Sequence, residues 1–308
     1  MFDLHFHSLA SDGLASLDTV AAAVAARPDL ALVALTDHDY LDYSIALASR
    51  EPRAWTGVEL ISQIGSRRLD ILGLNVRPDD RDLTRYLETR VIERRARFAL
   101  YGELLRAAGW TFDPPAAIFA RTQLAAPHVV AELRRQPVNE ARLAALGIPV
   151  PDRSAPVNSD DDKPIYKLIL NPLSPLIKAR TETAVASCVD IIGLIHRAGG
   201  LAIVAHPWIS PYDEGRQTKT KARRLLLELI GAGLDGLELW HHDQTAPAVQ
   251  AEISQFAAAQ GLLVSAGSDD HSLDLQHLGT ALPAEIDGRP LLDKIRAAAR
   301  RRAQARRA

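Results

Sequence analysis

Two histidines near the start of the chain are spaced as a metal chelate requires. His5 and His7 alternate with Asp3 in Asp-Leu-His-Phe-His, and alternate residues of a β-strand share one face. Two imidazoles on one face of a strand can bind a single divalent cation. Because many His-x-His pairs bind nothing, this motif alone is a weak indication. Asp12 follows in Ser-Asp-Gly, in the loop expected after this strand, and adds a carboxylate.

Further histidines and carboxylates follow other predicted strands. They occur in Thr36-Asp37-His38-Asp39, Gly57-Val58-Glu59, Ala205-His206-Pro207 and Gly267-Ser268-Asp269-Asp270-His271. In an array of βα units, the C-terminal ends of parallel strands lie on one face, whatever their distance in sequence. Each residue alone fits an ordinary role, such as a turn, a helix cap or a buried, hydrogen-bonded imidazole. Together they would be destabilising unless cations bound among them, so the pattern predicts a centre for zinc, manganese or iron with nitrogen and oxygen ligands.

The elements that must position these residues follow a βα pattern. Short runs rich in Val, Ile and Leu alternate with longer helical patterns, which is typical of βα units around a parallel sheet. Strands are predicted at residues 2–6, 30–35, 55–61, 69–74, 201–205, 236–240 and 262–265, and helices at residues 17–26, 83–108, 184–196, 219–232, 246–260 and 291–305. Only Ile64-Gly65-Ser66 and its neighbours separate two of the strand-like runs, which favours a hairpin there.

The pattern loosens between about Trp110 and Thr183, where prolines are frequent and three aspartates follow one another at 160–162. We therefore predict a barrel domain of residues 1–109 and 184–308, with a helical, Pro-rich insertion at residues 110–183. Insertions into barrels commonly cover the catalytic face, so this one is expected to shape the substrate pocket. A surface excursion without function fits the pattern nearly as well.

Composition narrows the class of protein. The 308 residues are 47% hydrophobic and 24% charged, as in an average globular protein, and a net charge of −2 provides no global basic field for nucleic acid. Neither an apolar run of about 20 residues nor an export signal is present, so a cytoplasmic protein without membrane attachment is expected. The single cysteine, Cys188, excludes a thiolate metal cluster. The basic residues after Lys294 favour a solvated helix, with phosphate contact as the alternative.

In order and spacing from Phe2 to His271, the motifs together resemble the PHP (polymerase and histidinol phosphatase) family of metal-dependent phosphoesterases. The resemblance rests on Asp-Leu-His-Phe-His, Ser-Asp-Gly, Thr-Asp-His-Asp, Gly-Val-Glu, Pro-His, Ala-His-Pro and Gly-Ser-Asp-Asp-His. It is strongest to small bacterial members that act on nucleotides and short oligonucleotides. It implies an α/β fold, a distorted (β/α)7 TIM-like barrel, with a cluster of two or three divalent ions (Mn, Zn or Fe).

The same resemblance implies a role for each matched residue. The first ion would be held by His5, His7, Glu59 and Asp269, the second by Glu59 and His128, and the third by Asp12, His38 and His271. Glu59 would bridge two ions. The residues expected to act in catalysis are Glu59, Asp269 and His206, the last as a phosphate-binding or proton-donating group. The candidates for substrate binding are His206, His241, at a strand end, and the Arg-x-x-Arg pair Arg94 and Arg97.

Two positions depart from the family pattern. A histidine ligand is usual where this chain has Asp70, in Leu-Asp-Ile-Leu-Gly, so Asp70 is included among the candidate ligands through its carboxylate oxygen. An arginine commonly precedes the Pro-His pair, where this chain has Ala126, and its loss removes a bidentate phosphate partner. Both departures indicate that ion preference and substrate recognition differ from those of relatives.

The predicted function is hydrolysis of a phosphate ester of a small molecule, a nucleotide or short oligonucleotide, by metal-activated hydroxide. The sequence leaves open whether the enzyme is a phosphatase or a 5′-3′ exonuclease, and it indicates no obligate protein partner. One alternative is a metal-binding regulatory or structural protein that has lost catalysis. Another is a metal amidohydrolase, a class that also begins with His-x-His but typically carries a bridging modified lysine, for which no candidate is found.

Overall fold

Seven strands form the central sheet of the computed structural model, in chain order from β1 to β7. The structure describes residues 1–65, 67–116, 118, 124, 126–149, 163–181, 185–207, 219–241, 247–283 and 286–305. The strands are β1 (Phe2–Asp3), β2 (Leu32–Leu35), β3 (Ala54–Ile64), β4 (Arg67–Leu74), β5 (Leu201–Val204), β6 (Gly236–His241) and β7 (Leu263–Gly267). Neighbouring strands pair in parallel except β4, which is antiparallel to both β3 and β5.

The sheet closes between its first and last strands. The amide of Leu4 donates to the carbonyl of Ala266 over 3.0 Å, and Phe6 forms a parallel bridge with Asp270. The strand predicted over residues 2–6 is therefore shorter as a regular element, and its last residues are held by single hydrogen bonds to the chain after β7. The result is a nearly closed seven-stranded barrel, which confirms the predicted distorted barrel and the antiparallel hairpin of β3 and β4.

α-Helices lie between the strands in sequence and after β7. They are α1 (Leu17–Ala25), α2 (Asp42–Arg50), α3 (Arg81–Ala107), α4 (Ala126–Arg135), α5 (Glu140–Ala145), α6 (Lys163–Ile165), α7 (Asn171–Thr181), α8 (Cys188–Arg197), α9 (Lys219–Gly231), α10 (Pro247–Gln260) and α11 (Arg289–Ala305). Ser16, Asp80 and Ser187 cap α1, α3 and α8 by accepting a hydrogen bond from an amide of the first turn. Among the described helices, none has the length and apolarity to cross a membrane.

Helix α3 belongs to two hydrophobic cores. Leu83 and Leu87 in its first half pack in the main core, which lies between the barrel strands and their helices. Phe98 and Leu105 in its second half pack in a separate core with residues of α4, α5 and α7. The segment after residue 109 thus builds its core on a helix that starts in the barrel.

Candidate metal centre

The two histidines after β1 lie side by side at one end of the barrel. His5 and His7 are fully buried, and their Nε2 atoms are 3.2 Å apart. The loop that follows is fixed by the buried carboxylate of Asp37, which accepts hydrogen bonds from the amide and hydroxyl of Ser8 and from the hydroxyl of Ser11. Asp37 therefore holds the loop that leads from His7 to the Asp12 carboxylate.

Glu59, on β3, lies at the middle of the site and is only 1% exposed. Its Oε2 is 3.3 Å from Nε2 of His5, 3.2 Å from Nε2 of His7 and 3.2 Å from Nδ1 of His38. Its Oε1 is 3.4 Å from Nε2 of His206. One carboxylate thus faces imidazoles that follow three other strands.

Asp269 completes a first group of donors with His5, His7 and Glu59. Its Oδ1 is 3.2 Å from Nε2 of His5 and 3.0 Å from Nε2 of His7. The backbone at Asp269 has a φ of 51°, and its amide donates to the carbonyl of His5 over 2.7 Å. Such a left-handed conformation is uncommon outside glycine and often marks functional sites. His206 and Asp39 in the same site share this feature, with φ of 29° and 50°.

A second group of possible ligands lies on the other side of His7. It comprises His7, Asp12, His38 and His271, each offering a donor atom within 4.8 Å of the others. Oδ1 of Asp12 is 3.2 Å from Nε2 of His271, and Oδ2 is 3.7 Å from Nε2 of His38. The rings of His7 and His271 stack with their centroids 4.2 Å apart.

The third group joins Glu59 with Asp70 and His206. Asp70 faces the same side as Glu59 because it pairs with Ile61 in the β3–β4 register, two residues beyond Glu59. His128 is absent from every such group among the described residues and lies buried in α4, whose Val129 and Val130 belong to the second core. A ligand role for His128 beside Glu59 therefore stays a prediction.

The donor atoms fit divalent cations better than they fit one another. Among the described residues, Asp12 Oδ1, His38 Nδ1 and both carboxylate oxygens of Glu59 are buried without a hydrogen-bond partner of acceptable geometry. Leaving buried carboxylate oxygens unsatisfied is strongly unfavourable. A cation between imidazole nitrogens and carboxylate oxygens removes that penalty, and this donor set suits zinc, manganese and iron.

The charges of the site support one another. Burial alone would raise the pKa of Glu59, but His38, His5 and His206 lower it well below its ordinary value. Burial would likewise raise the pKa of Asp269, but His5 and His271 lower it. Asp70 differs, because burial and the charge of Glu59 both raise its pKa. Glu59 and Asp269 are thus held as anions in a buried pocket, and such carboxylates attract cations.

His206 holds a proton readily in this environment. Burial alone would lower the pKa of His206, yet the close contact and charge of Glu59, with the charges of Asp269 and Asp70, raise it to about 9. A cation bound to Glu59 would compete with that proton. His206 is therefore placed either to coordinate an ion or to carry a proton.

Two side chains of β6 reach the site although they are three residues apart. Glu238 accepts from Nδ1 of His5, and Nε2 of His241 is 3.1 Å from Oδ2 of Asp269. In a regular strand such residues would face opposite sides. The register shifts between Glu238 and Trp240, so Leu239 has no partner on β7 and both side chains turn inward. Sequence reasoning missed Glu238, although a lone acid in the apolar run Gly-Leu-Glu-Leu-Trp was a usable signal.

The arginines predicted to bind substrate lie on α3, near His38. Nε and Nη2 of Arg94 donate to Oδ2 of Asp39 over 3.0 and 2.6 Å, and Arg90 also contacts that oxygen. Burial and the charges of Arg68, Arg94 and Arg90 lower the pKa of Arg97. Arg94 is thus held by the residue next to His38, while Arg97 lies in a cationic cluster.

Curated proteins with similarity along most of this chain act on phosphate esters by name. A 3′,5′-nucleoside bisphosphate phosphatase from Chromobacterium violaceum is 30% identical over 284 residues, covering 88% of this chain and 87% of that protein. A phosphoribosyl 1,2-cyclic phosphate 1,2-diphosphodiesterase from Eggerthella lenta is 27% identical, covering 92% and 99%. A 5′-3′ exoribonuclease from Haemophilus influenzae is 28% identical, covering 88% and 89%. No family model matches the chain.

Two solved structures align with 96% of this chain and 96% of their own. One, from Chromobacterium violaceum, is described as an amidohydrolase with bound sulfate and no metal, and it aligns with a TM-score of 0.66 at 27% identity. The other, described as a metal-dependent phosphoesterase from Bifidobacterium adolescentis, aligns with a TM-score of 0.65 at 21% identity. At that identity, the second likeness concerns the fold alone.

Proposed function

Because the chain belongs to the PHP family of metal-dependent phosphoesterases, we propose that its substrate is a phosphate ester of a nucleotide or short oligonucleotide. The chain is a metal-dependent phosphoester hydrolase. The observation that carries the placement of the active site is the central carboxylate of Glu59, whose two buried oxygens face four imidazoles and have no hydrogen-bond partner among the described residues.

We propose two or three divalent ions, manganese, zinc or iron, around Glu59. The ligand set proposed for the first ion is His5, His7, Glu59 and Asp269, and that for the second is Glu59, Asp70 and His206. The set for the third ion is Asp12, His38 and His271, and His7 lies close to both the first and the third set. The second set has two carboxylates and one imidazole, which favours a harder cation such as manganese. The third set has more nitrogen donors and suits zinc or iron.

When bound, adjacent divalent ions lower the pKa of water and neutralise charge on the phosphate. The chain's own groups would then act around the ester. In a two-ion centre, with the set of Glu59, Asp70 and His206 empty, His206 would hold a proton at Nε2 and pass it to the leaving alkoxide, a role that its raised pKa supports. His241 would keep Asp269 turned toward His5 and His7 through the contact between Nε2 and Oδ2.

Substrate recognition is proposed to involve α3 and the insertion at residues 110–183. Arg97, in the cationic cluster of α3, would attract a phosphate group. Arg94 would bind the phosphate while it also contacts Asp39, because two of its nitrogens already donate to that carboxylate. The insertion shares its core with the second half of α3, which supports a role in shaping the pocket beside these arginines.

Phosphate release from the purified, metal-analysed protein tests this function. The panel contains nucleoside 3′,5′-bisphosphates, nucleoside monophosphates, short oligonucleotides and sugar phosphates. We expect release from nucleotides or oligonucleotides, and we expect Glu59→Gln to lower it by roughly 10²–10³-fold or more, the scale on which one transition-state-stabilising group acts. His7→Ala is expected to behave alike, with the fold preserved by circular dichroism.

The other outcomes separate the alternatives. Release from sugar phosphates alone would reject the substrate class. A fully metal-loaded protein that releases nothing across the panel would favour the binding protein without catalysis. An unchanged rate in Glu59→Gln would reject this site. The amidohydrolase alternative typically carries a bridging modified lysine; we propose Glu59 as the bridging group instead, which its contacts through Oε2 with His5 and through Oε1 with His206 support.

A further inference from the structure

Glu238 is a fully buried carboxylate with two functional neighbours. Its Oε1 lies 3.0 Å from Nδ1 of His5, and its Oε2 accepts from the backbone amide of His206 over 2.8 Å. It belongs to none of the possible ligand groups among the described residues. Both of its partners do belong to such groups, so Glu238 contacts the centre only through other residues.

The fold makes room for this carboxylate. The bulge at Leu239 lets Glu238 face inward together with His241. A side chain at Gly267 would collide with both partners, since its Cβ would lie 2.2 Å from Cβ of His5 and 2.5 Å from Oε1 of Glu238. Glycine at this position is therefore what allows His5 and Glu238 to meet.

The contact decides which nitrogen of His5 carries a proton. An ionised carboxylate only accepts hydrogen bonds, so Nδ1 of His5 must donate to Glu238. Nε2 then presents its lone pair toward Glu59 and Asp269, whose oxygens lie 3.3 and 3.2 Å away. A carboxylate behind a ligating histidine fixes the tautomer and makes the imidazole a stronger donor.

We propose that Glu238 is a positioning residue for the metal centre, which orients the His5 ring and the backbone of His206 with one carboxylate. The second contact is notable because His206 has a φ of 29°. A strained backbone persists only where surrounding contacts hold it. Ion binding at His5 and the direction of the His206 ring therefore depend on the same side chain. The proposal rests on the metal centre of the proposed function but not on the choice of substrate.

Glu238→Gln tests the proposal because it changes the chemistry with little change in shape. The amide of His206 must donate, so the glutamine oxygen would accept from it and the glutamine NH2 would face Nδ1 of His5. That NH2 favours the tautomer with a proton on Nε2, where the ion would bind. We expect the apparent affinity for zinc, measured by competition with a chelator, to fall by about 10–100-fold, the usual effect of losing such a partner.

Asp235→Asn is the matched control. Asp235, just before β6, accepts from the Nε2 of His196 over 2.8 Å and from the amide of Ala202 over 2.9 Å, so its partners are of the same two kinds, an imidazole and a backbone amide. Asp235 and His196 are outside every possible ligand group among the described residues. We expect this variant to keep the zinc affinity of the wild-type protein within about twofold.

Wild-type zinc affinity in Glu238→Gln, or an equal loss in Asp235→Asn, would overturn the proposal. Should Glu238→Gln fail to fold, the nitrogen chemical shifts of His5 in the zinc-loaded wild-type protein still decide. The proposal requires a proton on Nδ1 and none on Nε2, and the reverse tautomer contradicts it. Because zinc binding and tautomer are measured without substrate, a failed substrate screen leaves this test intact.

Discussion

Two carboxylates three residues apart, Asp235 just before β6 and Glu238 within it, make the same kind of three-part contact and use it differently. Glu238 joins the His5 ring to the backbone amide of His206. Asp235 joins the His196 ring to the amide of Ala202, and Oδ1 of Asp235 also accepts from Arg302. Each carboxylate therefore ties a histidine from another element to the strand next to it.

The two histidine–carboxylate pairs differ in what the rest of the imidazole ring contacts. The second nitrogen of His5 faces the oxygens of Glu59 and Asp269. The ring of His196 instead lies against Gly233, where an added Cβ would be 3.3 Å from its Cε1. A His–carboxylate pair is thus a structural clamp or a metal-supporting unit according to its surroundings. The motif by itself does not distinguish these roles.

Removal of the metal ions has the largest expected effect. Without ions, the His5–Glu238 pair would support no metal and would act as the His196–Asp235 pair does. Dialysis against a chelator is expected to bring hydrolysis to background, with recovery on adding manganese or zinc. Ions also stabilise the folded state, by about 2.7 kcal/mol when their concentration is a hundred times the dissociation constant. Thermal unfolding with and without metal measures this increment.

Glu238→Gln and Asp235→Asn show which of the two carboxylates supports the metal-dependent stabilisation. Asp235→Asn should show the full metal-dependent rise in unfolding temperature, because its carboxylate lies outside the possible ligand groups of the described residues. Glu238→Gln should show a smaller rise. A reduced rise in Asp235→Asn would mean that the Asp235 contact also supports the metal centre, which would contradict its purely structural role.

Asp235→Asn should instead lower stability while activity persists. Loss of a charged partner for His196 and Arg302 is expected to cost roughly 1–3 kcal/mol at pH 7. Burial alone would raise the pKa of Asp235, but hydrogen bonds from His196, the amide of Ala202 and Arg302 lower it below its ordinary value of 3.8. Urea unfolding at several pH values, with the hydrolysis rate as control, measures both effects.

The direction of the pH effect follows from that lowered pKa. The ionised Asp235 stabilises the native state fully above its unfolded pKa, near 3.8, and the stabilisation is lost as pH falls below it toward the folded pKa. The difference between wild type and Asp235→Asn should therefore be constant near neutral pH and shrink below about pH 4. A difference that grows on acidification would contradict the assigned role.

Much of the fold and of the candidate site followed from strand periodicity. His5, His7, His38, Glu59 and Asp269 come together because the ends of parallel strands meet, and that rule does not depend on sequence distance. Glu238 was missed because its inward direction depends on the bulge at Leu239. Strict alternation cannot place both Glu238 and His241 on one face, and no simple pattern in these residues signals the bulge.

Contacts between elements that are distant in sequence could not be predicted either. The helical pattern of α3 is continuous whether its second half faces the barrel or a second core, so the sharing of α3 by two cores was not predicted. The capture of Arg94 by Asp39 has the same cause, since residues 55 positions apart meet only in the folded chain. Roles for Arg94, Arg97 and His128 stay predictions.

Arg302→Ala has the smallest expected effect, and it removes only the hydrogen bond from Arg302 to Asp235. Nη2 of Arg302 donates to Oδ1 of Asp235 over 2.8 Å, but the arginine side chain is 33% exposed. Partly solvated ion pairs of this kind contribute about 0.2–1 kcal/mol and weaken in salt. Urea unfolding at low and high sodium chloride should therefore show a small loss of stability that shrinks with salt, with zinc affinity unchanged. A loss as large as that of Asp235→Asn would instead make Arg302, rather than His196, the main partner of Asp235, and the likeness between the Asp235 and Glu238 contacts would no longer hold.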